Sequence, residues 1–257
     1  MSADKRDDNK DITKKNLDKY LYELAKEYKK LAGRNTPAEL ILIGGAVVVS
    51  QYHFREATTD IDAVIQAASV MKEAIIHVEE RFELPHGWIN SDFQKTTSYS
   101  RNLVRCSSYY RSFCQVLSVR MVKAEYLIAM KLRAYRYYKH DISDIVGILC
   151  AHHENGDSLT MDRINRAVTE LYGAWDGISP EARKFIEERI RLEDYAELFA
   201  VVEQNEKKMR DDLMEIKENY PEILSNGNIK NVIESLRRKK EQSNISIPDQ
   251  SDLRDSK

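Results

Sequence analysis

The sequence predicts an α+β fold, in which helices flank a mixed sheet and an all-helical C-terminal region follows. Short apolar runs rich in β-branched residues lie in the first half of the chain, between segments whose apolar side chains have helical spacing. After Asn155-Gly156-Asp157 the periodic segments are helical and strongly charged. The chain has 257 residues, of which 42% are hydrophobic, so it can bury one sizeable core.

The first 36 residues are predicted to form a charged tail and one amphipathic helix. Residues 1–11 are rich in charge, which predicts disorder, and they lack the apolar region of a secretory signal. From Thr13 to Ala32 apolar side chains recur at helical spacing, and Gly33 supplies a stop signal. The predicted buried stripe consists of Leu17, Tyr20, Leu21, Leu24, Tyr28 and Leu31.

Residues 37–155 are predicted to form the α+β core. A strand ending at Ile43 leads into the pair Gly44-Gly45, and a short helix over Ala46–Tyr52 precedes a second strand that ends at Ile65. The later elements are a helix over Ala68–Phe82, extended pieces over Leu103–Ser107 and Ser112–Val119 connected by Tyr109-Tyr110-Arg111, and helices over Lys123–Tyr138 and Asp141–His152.

Residues 156–240 are predicted to form a helical region, and residues 241–257 a polar, disordered tail. Ser179-Pro180 is a favourable helix start, because serine caps the first turn and proline fits its first position. The predicted helices cover Thr160–Tyr172, Pro180–Met209, Asp211–Asn219 and Asn228–Lys240.

The net charge of −2 conceals a basic segment from Lys95 to His140. This segment holds ten Lys or Arg residues against a single acid, Glu125, and seven of the fourteen tyrosines. Basic side chains interleaved with aromatic rings suit a nucleotide or an RNA. The alternative interpretation, a solvated face combined with core tyrosines, explains the same composition.

The composition argues against a membrane protein and against a disulfide framework. No apolar run approaches the roughly 18 residues that a membrane-spanning helix needs. Cys106, Cys114 and Cys150 lie in apolar or aromatic surroundings without a metal-binding spacing, which is typical of reduced thiols. We therefore expect a cytoplasmic protein without a membrane partner.

Two carboxylates on the second strand are the first sign of chemistry. Asp60 and Asp62 share one face of the strand, since successive side chains point to opposite faces. Neighbouring carboxylates repel each other unless a positive charge lies between them, and hard oxygen ligands suit Mg²⁺. Together with Gly44-Gly45, which lets a backbone approach phosphate closely, the pair predicts phosphate chemistry.

This arrangement resembles the polymerase-β-like nucleotidyltransferase superfamily. The matching residues are the two glycines, Arg55, Thr58 or Thr59, and the two aspartates, with fourteen residues between Gly45 and Asp60. The helical segment around Lys131 and the later Asp141-Ile-Ser-Asp144 are similar to the toxin-like branch that includes the abortive-infection toxins of the AbiEii type. The loop from Leu84 to Asp92 also resembles this branch.

The resemblance implies transfer of a nucleoside monophosphate from an NTP, with Mg²⁺ as cofactor. Asp60 and Asp62 are then the catalytic residues and the metal ligands. The implied nucleotide-binding residues are Gly44, Gly45, Arg55, Thr59 and Lys131. The acceptor hydroxyl lies on RNA, such as a tRNA end, or on a protein, and the branch further implies a toxin with a cognate antitoxin.

One departure from the superfamily pattern keeps an alternative open. Members commonly carry a third carboxylate on a later strand, whereas the candidate strands over residues 103–107 and 112–119 contain none. Asp92, Asp141 and Asp144 are the remaining candidates, and the last two could instead cap a helix or pair with Arg133 or Arg136. The alternative is a weakly active or inactive nucleotide- or RNA-binding module on the same fold.

Overall fold

The computed structural model describes residues 11–219, together with Val232 and Ser235. The disorder predicted for the first ten residues and for residues 241–257 lies outside this range, as does nearly all of the helix predicted over residues 228–240. The chain divides into two compact units, residues 1–206 and 207–257. All of the predicted site residues belong to the first unit.

The first unit contains a mixed sheet and its flanking helices, which confirms the predicted α+β class. The strands are β1 (Ile12–Thr13), β2 (Ala38–Leu42), β3 (Ala57–Thr58), β4 (Ile61–Gln66), β5 (Ile89–Asn90), β6 (Ser107–Phe113) and β7 (Leu117–Val122). The helices are α1 (Lys14–Ala32), α2 (Gly44–Gln51), α3 (Met71–Phe82), α4 (Ala124–Ala134), α5 (Asp141–Glu154), α6 (Met161–Tyr172), α7 (Pro180–Leu192) and α8 (Tyr195–Asn219), of which residues 195–206 belong to this unit.

Five strands form the main sheet in the order β5-β4-β2-β7-β6, and β1 pairs separately with β3. Strand β2 is antiparallel to β4 and parallel to β7, and β5 is parallel to β4. The register pairs Leu42 with Ala63, and the Ile43 N–H donates to the Asp62 carbonyl at 3.0 Å. Asp62 therefore lies level with the point where β2 ends and α2 begins.

Helix α1 buries the predicted apolar stripe. Its inward side chains are Leu17, Tyr20, Leu21, Leu24 and Tyr28, whereas Leu31 is only partly buried. The helix packs against α3 and ends at Gly33, whose φ of +85° favours glycine. The helical period of the sequence thus correctly predicted which face contacts the core.

The predicted connection within the β6–β7 hairpin is wrong. Residues 109–111 lie inside β6, and the chain turns at Cys114 and Gln115, which have φ values of +51° and +63°. The predicted extended piece over Leu103–Ser107 is also wrong, because Arg101–Val104 forms a short 3₁₀ helix. Tyrosines favour strands, so the aromatic pair extends the strand instead of ending it.

The helical region also breaks at a different place from the predicted one. Helix α7 ends at Leu192, and Glu193 has a left-handed φ of +54°, whereas α8 continues through residues 209–211. Neither glycine nor proline marks this break in the sequence, which explains why it was missed. Among the described residues, no helix has both the length and the apolar character that crossing a membrane requires.

Candidate active site

The glycine pair brings the start of α2 against the strand that carries the aspartates. A Cβ atom on Gly44, whose φ is +62°, would lie 3.1 Å from Asp62 Oδ2. A Cβ atom on Gly45 would lie 2.5 Å from Thr58 Oγ1 and 3.0 Å from Arg55 Nη2. Both positions thus need glycine because the neighbouring side chains already fill the space of a methyl group.

The first turn of α2 presents backbone N–H groups without a side-chain cap. Ile43 occupies the capping position and has no polar atom in its side chain. The first N–H groups of a helix lack partners within it, and the helix dipole adds partial positive charge at that end. The turn at Gly44 and Gly45 can therefore bind an anion such as phosphate.

Asp62 and Asp60 form an interacting carboxylate pair beside this turn. Burial, followed by the negative charge of Asp60, raises the pKa of Asp62 to about 6, although Arg136, Lys131 and Lys139 act in the opposite direction. Asp60 is half-buried, and its Oδ2 accepts a hydrogen bond from Asn90 Nδ2 at 3.4 Å. The pair has the oxygen donors and the uncompensated charge that favour a hard divalent cation.

A buried ion-pair network supports the other side of the glycine turn. Asp144, on α5, accepts from Lys131 Nζ at 2.6 Å and from Arg55 Nη1 at 2.8 Å. Arg55 also donates to Thr58 Oγ1, which contacts Gly45. The network therefore links α4 and α5 to the glycine turn through side chains that are mostly buried.

Asp141 extends this network toward the loop between α4 and α5. It accepts from Arg136 Nε at 2.8 Å and from Lys131 Nζ at 3.4 Å. Burial alone would raise the pKa of Asp141, but the positive charges of Lys131 and Arg136 outweigh it and lower that pKa. Both aspartates of α5 thus pair with cations; Arg133 takes no part and donates instead to the Thr97 carbonyl.

Glu206, on α8, holds the beginning of α5 in place. Its Oε1 accepts from the N–H groups of Ile142 and Ser143 at 2.9 and 3.3 Å. Its Oε2 is buried and has no hydrogen-bond partner among the described residues. Burial, with a smaller contribution from Asp144, raises the pKa of Glu206 to about 7.

A pocket of about 410 Å³ opens beside Asp60. Asp60 and Thr59 come from the segment before β4. The rest of the lining comes from the loop before β5, from Asn90 on β5 and from Asp92 just after it. The lining residues are Thr59, Asp60, Pro85, His86, Gly87, Trp88, Asn90 and Asp92. Asp60 therefore borders a cavity, whereas Asp62 contacts the glycine turn.

A third metal-binding carboxylate is not present among residues 11–219, Val232 and Ser235. No group of three or more His, Cys, Asp or Glu side chains there is arranged to hold a metal ion. On β7, Met121 pairs with Leu42, the last residue of β2. The next residue of β7 is Val122, which is buried and has no carboxylate. Asp92 lines the pocket but is exposed and pairs with Lys95.

The structure brings most of the predicted site residues together. Gly44, Gly45, Asp62 and Arg55 are linked by direct contacts, and Lys131 joins them through Asp144. Thr59 is exposed and lines the pocket, while its neighbour Thr58 packs against the turn. The expected pairing of an α5 aspartate with Arg136 is confirmed at Asp141. Sequence reasoning missed Asn90, Lys139 and Glu206 as site residues, because their spacing along the chain gives no sign of their proximity to the aspartates.

The comparisons with known proteins agree with this geometry. A family described as nucleotidyltransferase of unknown function (DUF6036) matches residues 19–176, which include every residue of the glycine turn, the carboxylate pair and the ion-pair network. The chain belongs to this family. The match supports nucleotidyltransferase membership but not the AbiEii-type branch.

The chain has no match among the curated proteins and none among the solved structures. Its family description names a transferase class and leaves the substrate and the acceptor open.

Proposed function

We propose that the protein transfers a nucleoside monophosphate from an NTP to an acceptor hydroxyl on RNA, such as tRNA, or on protein, and that it requires Mg²⁺. The observation that carries this proposal is the contact between the uncapped start of α2 and the carboxylate of Asp62. This contact supports the proposal, because the glycine turn would bind phosphate directly beside the carboxylates that would bind the metal.

The donor set fits one Mg²⁺ ion. Asp60 and Asp62 would hold it. Burial and, second to it, the negative charge of Asp60 raise the pKa of Asp62, and a divalent cation would relieve both effects. Mg²⁺ commonly binds one or two protein carboxylates and completes its shell with water and substrate phosphates. When bound, it neutralises phosphate charge and polarises the reacting groups.

The other site residues would bind the phosphates or position the groups that do. The N–H groups of Gly44 and Gly45 bind the phosphates, and Arg136 and Lys139 add positive charge on the side of Asp62. Arg55 and Lys131 are predicted phosphate ligands that also position the site, because Asp144 holds both.

The proposed reaction is an in-line displacement at the α-phosphorus. The acceptor oxygen forms a bond to this phosphorus, the bond to the oxygen that bridges to the β-phosphate breaks, and pyrophosphate leaves with that electron pair. The proton of the acceptor hydroxyl passes to solvent at the open pocket beside Asp60.

A second candidate is a nucleotide- or RNA-binding module without turnover. The observation that favours it is that, in the part of the chain that the structure describes, no group of three or more His, Cys, Asp or Glu side chains is arranged to hold a metal ion. A toxin role with an antitoxin belongs to the leading proposal through the resemblance of the Lys131 segment to toxin-like proteins. A cytoplasmic location belongs to it through the cysteines, which are typical of reduced thiols.

The test is transfer of label from α-³²P-labelled NTPs to cellular RNA or protein in the presence of Mg²⁺. We expect wild-type protein to label an acceptor and release pyrophosphate, and the double variant Asp60→Asn, Asp62→Asn to lose at least about 10³-fold in rate. The matched control is Asp162→Asn, an exposed aspartate on α6.

Two outcomes separate the candidates. Undiminished labelling by the double variant contradicts the proposed enzyme. Calorimetric binding of an NTP by wild-type protein without pyrophosphate release, whatever acceptor is added, favours the binding module.

A further inference from the structure

The pocket beside Asp60 is firmly built. Trp88 is completely buried, its Nε1 donates to the Ile75 carbonyl at 3.3 Å, and its carbonyl accepts from the Ile61 N–H at 2.7 Å. The Gly87 N–H donates to Glu79 at 2.9 Å. These contacts fix the loop before β5 to α3 and β4, so the cavity is formed before any ligand arrives.

The polar lining of this pocket is suited to a hydroxyl group and unsuited to phosphate. It presents the carboxylates of Asp60 and Asp92, the amide of Asn90, the hydroxyl of Thr59 and the imidazole of His86. The lining contains neither lysine nor arginine. An RNA end would bring phosphate groups next to its terminal ribose, and those groups need cations for binding.

The basic segment predicted to bind RNA supplies few free cations. Six of its ten basic side chains already bind acceptors within the protein, namely Lys95, Arg111, Arg120, Lys131, Arg133 and Arg136. Lys95, one of these six, pairs with the pocket residue Asp92 at 2.7 Å. The charge around the cavity therefore favours a neutral or cationic acceptor.

We propose that this pocket is the acceptor site and that it receives a serine, threonine or tyrosine side chain of a protein segment with basic flanking residues. The proposal deepens the proposed function and rests on it. Asp60 borders the hydroxyl, and Asp92 at the rim attracts the basic flank. The volume of about 410 Å³ accommodates one such side chain with part of its backbone.

The triphosphate lies on the other side of the carboxylate pair in this arrangement. Strand β4 separates β5, which carries the pocket, from β2, which leads into the glycine turn. Asp62 contacts Gly44, whereas Asp60 borders the cavity. The acceptor oxygen and the phosphates can thus meet at the two aspartates without sharing a binding surface.

The first measurement is fluorescence anisotropy with fluorescein-labelled peptides that carry one Ser, Thr or Tyr between lysines. Asp92→Lys reverses the charge at the pocket rim, and we expect it to weaken peptide binding about tenfold. Asp162→Lys makes the same charge change on α6, away from the pocket lining, and we expect it to leave binding unchanged. Equal peptide affinities of the wild type and Asp92→Lys overturn the proposal.

The second measurement is transfer of ³²P label to the same peptides and, separately, to tRNA. We expect wild-type protein to label a peptide and Asp92→Lys to label it about tenfold more slowly, with Mg-NTP affinity unchanged in calorimetry. Labelling of tRNA without any peptide labelling overturns the acceptor assignment and leaves the transferase intact. Failure of the proposed function differs, because the wild type then labels neither peptide nor tRNA and releases no pyrophosphate, whether or not it binds Mg-NTP.

Discussion

The two aspartates face regions of opposite character. On the side of Asp62, a glycine turn is supported by a buried network in which Asp144 and Asp141 pair with three cations. On the side of Asp60, an exposed pocket has acidic, amide and hydroxyl groups and no cation in its lining. The difference indicates separate roles: the region beside Asp62 is suited to phosphate, and the pocket beside Asp60 is suited to the incoming hydroxyl.

The largest expected difference is between the effects of replacing Asp144 and Asp92 on the free energy of unfolding. Replacing the buried Asp144 by Asn leaves Arg55 and Lys131 without their shared counter-charge, and we expect a loss of about 3 kcal/mol in the free energy of unfolding. Asp92→Asn removes only an exposed ion pair, with an expected change below about 0.5 kcal/mol. Urea unfolding measures both, and equal effects would contradict the contrast between the two regions.

Substitution of Gly45, in the glycine turn, should also have a larger effect than substitution of Gly87, in the pocket. In Gly45→Ala the new methyl group meets Thr58 and Arg55, and we expect a destabilisation of about 2 kcal/mol and loss of NTP binding. Gly87→Ala has open space around the new methyl group, so only its φ of +71° costs stability, by about 1 kcal/mol. Thermal unfolding and calorimetry distinguish them; an unchanged NTP affinity of Gly45→Ala argues against a phosphate-binding turn.

Glu206, which binds the beginning of α5, should make the stability of the protein depend on pH. Since its folded-state pKa is about 7 against an ordinary 4.5, its contribution to stability is complete below about pH 4.5 and is lost as the pH rises to about 7. Glutamine does not ionise, so Glu206→Gln should not lose stability in this range. We expect the free energy of unfolding of the variant, relative to that of the wild type, to be roughly 2–3 kcal/mol higher at pH 8 than at pH 4.5. Urea unfolding at both pH values tests this, and a stability difference independent of pH would refute it.

The smallest expected effect is that of Lys139→Ala on the binding of Mg-NTP. This exposed side chain forms no ion pair within residues 11–219, and its charge is close enough to Asp62 to lower the pKa of that carboxyl. We expect Lys139→Ala to weaken Mg-NTP binding about tenfold in calorimetry, because one phosphate contact is lost. The matched control Lys72→Ala, on α3, should bind as wild type does; equal losses in both variants would point to a general charge effect.

Sequence periodicity predicted the elements that bury apolar side chains. The stripe of α1 and the strand–glycine–helix–strand order around the aspartates follow from patterns within a few residues. The β6–β7 turn and the break at Glu193 did not follow. The backbone there is left-handed at Cys114, Gln115 and Glu193, and the sequence has no glycine at these positions to indicate it.

The same limit applies to the site. Gly44, Gly45, Asp60 and Asp62 form one local motif and could be found from the sequence alone. The Arg55–Asp144 pair spans 89 positions, and Asn90 lies 30 positions from Asp60, so only the fold reveals these contacts. The assignment of Lys131 as a phosphate ligand stays a prediction, now with Asp144 as its partner.

The central claim is that Asp60 and Asp62 hold a metal-bound triphosphate against the glycine turn. Isothermal titration of a non-hydrolysable NTP, with Mg²⁺ and with EDTA, tests this without knowledge of the acceptor. We predict binding in Mg²⁺ that falls at least about 100-fold in EDTA and in the Asp60→Asn, Asp62→Asn variant. Equal affinity in EDTA, or in the double variant with Mg²⁺, would contradict the claim.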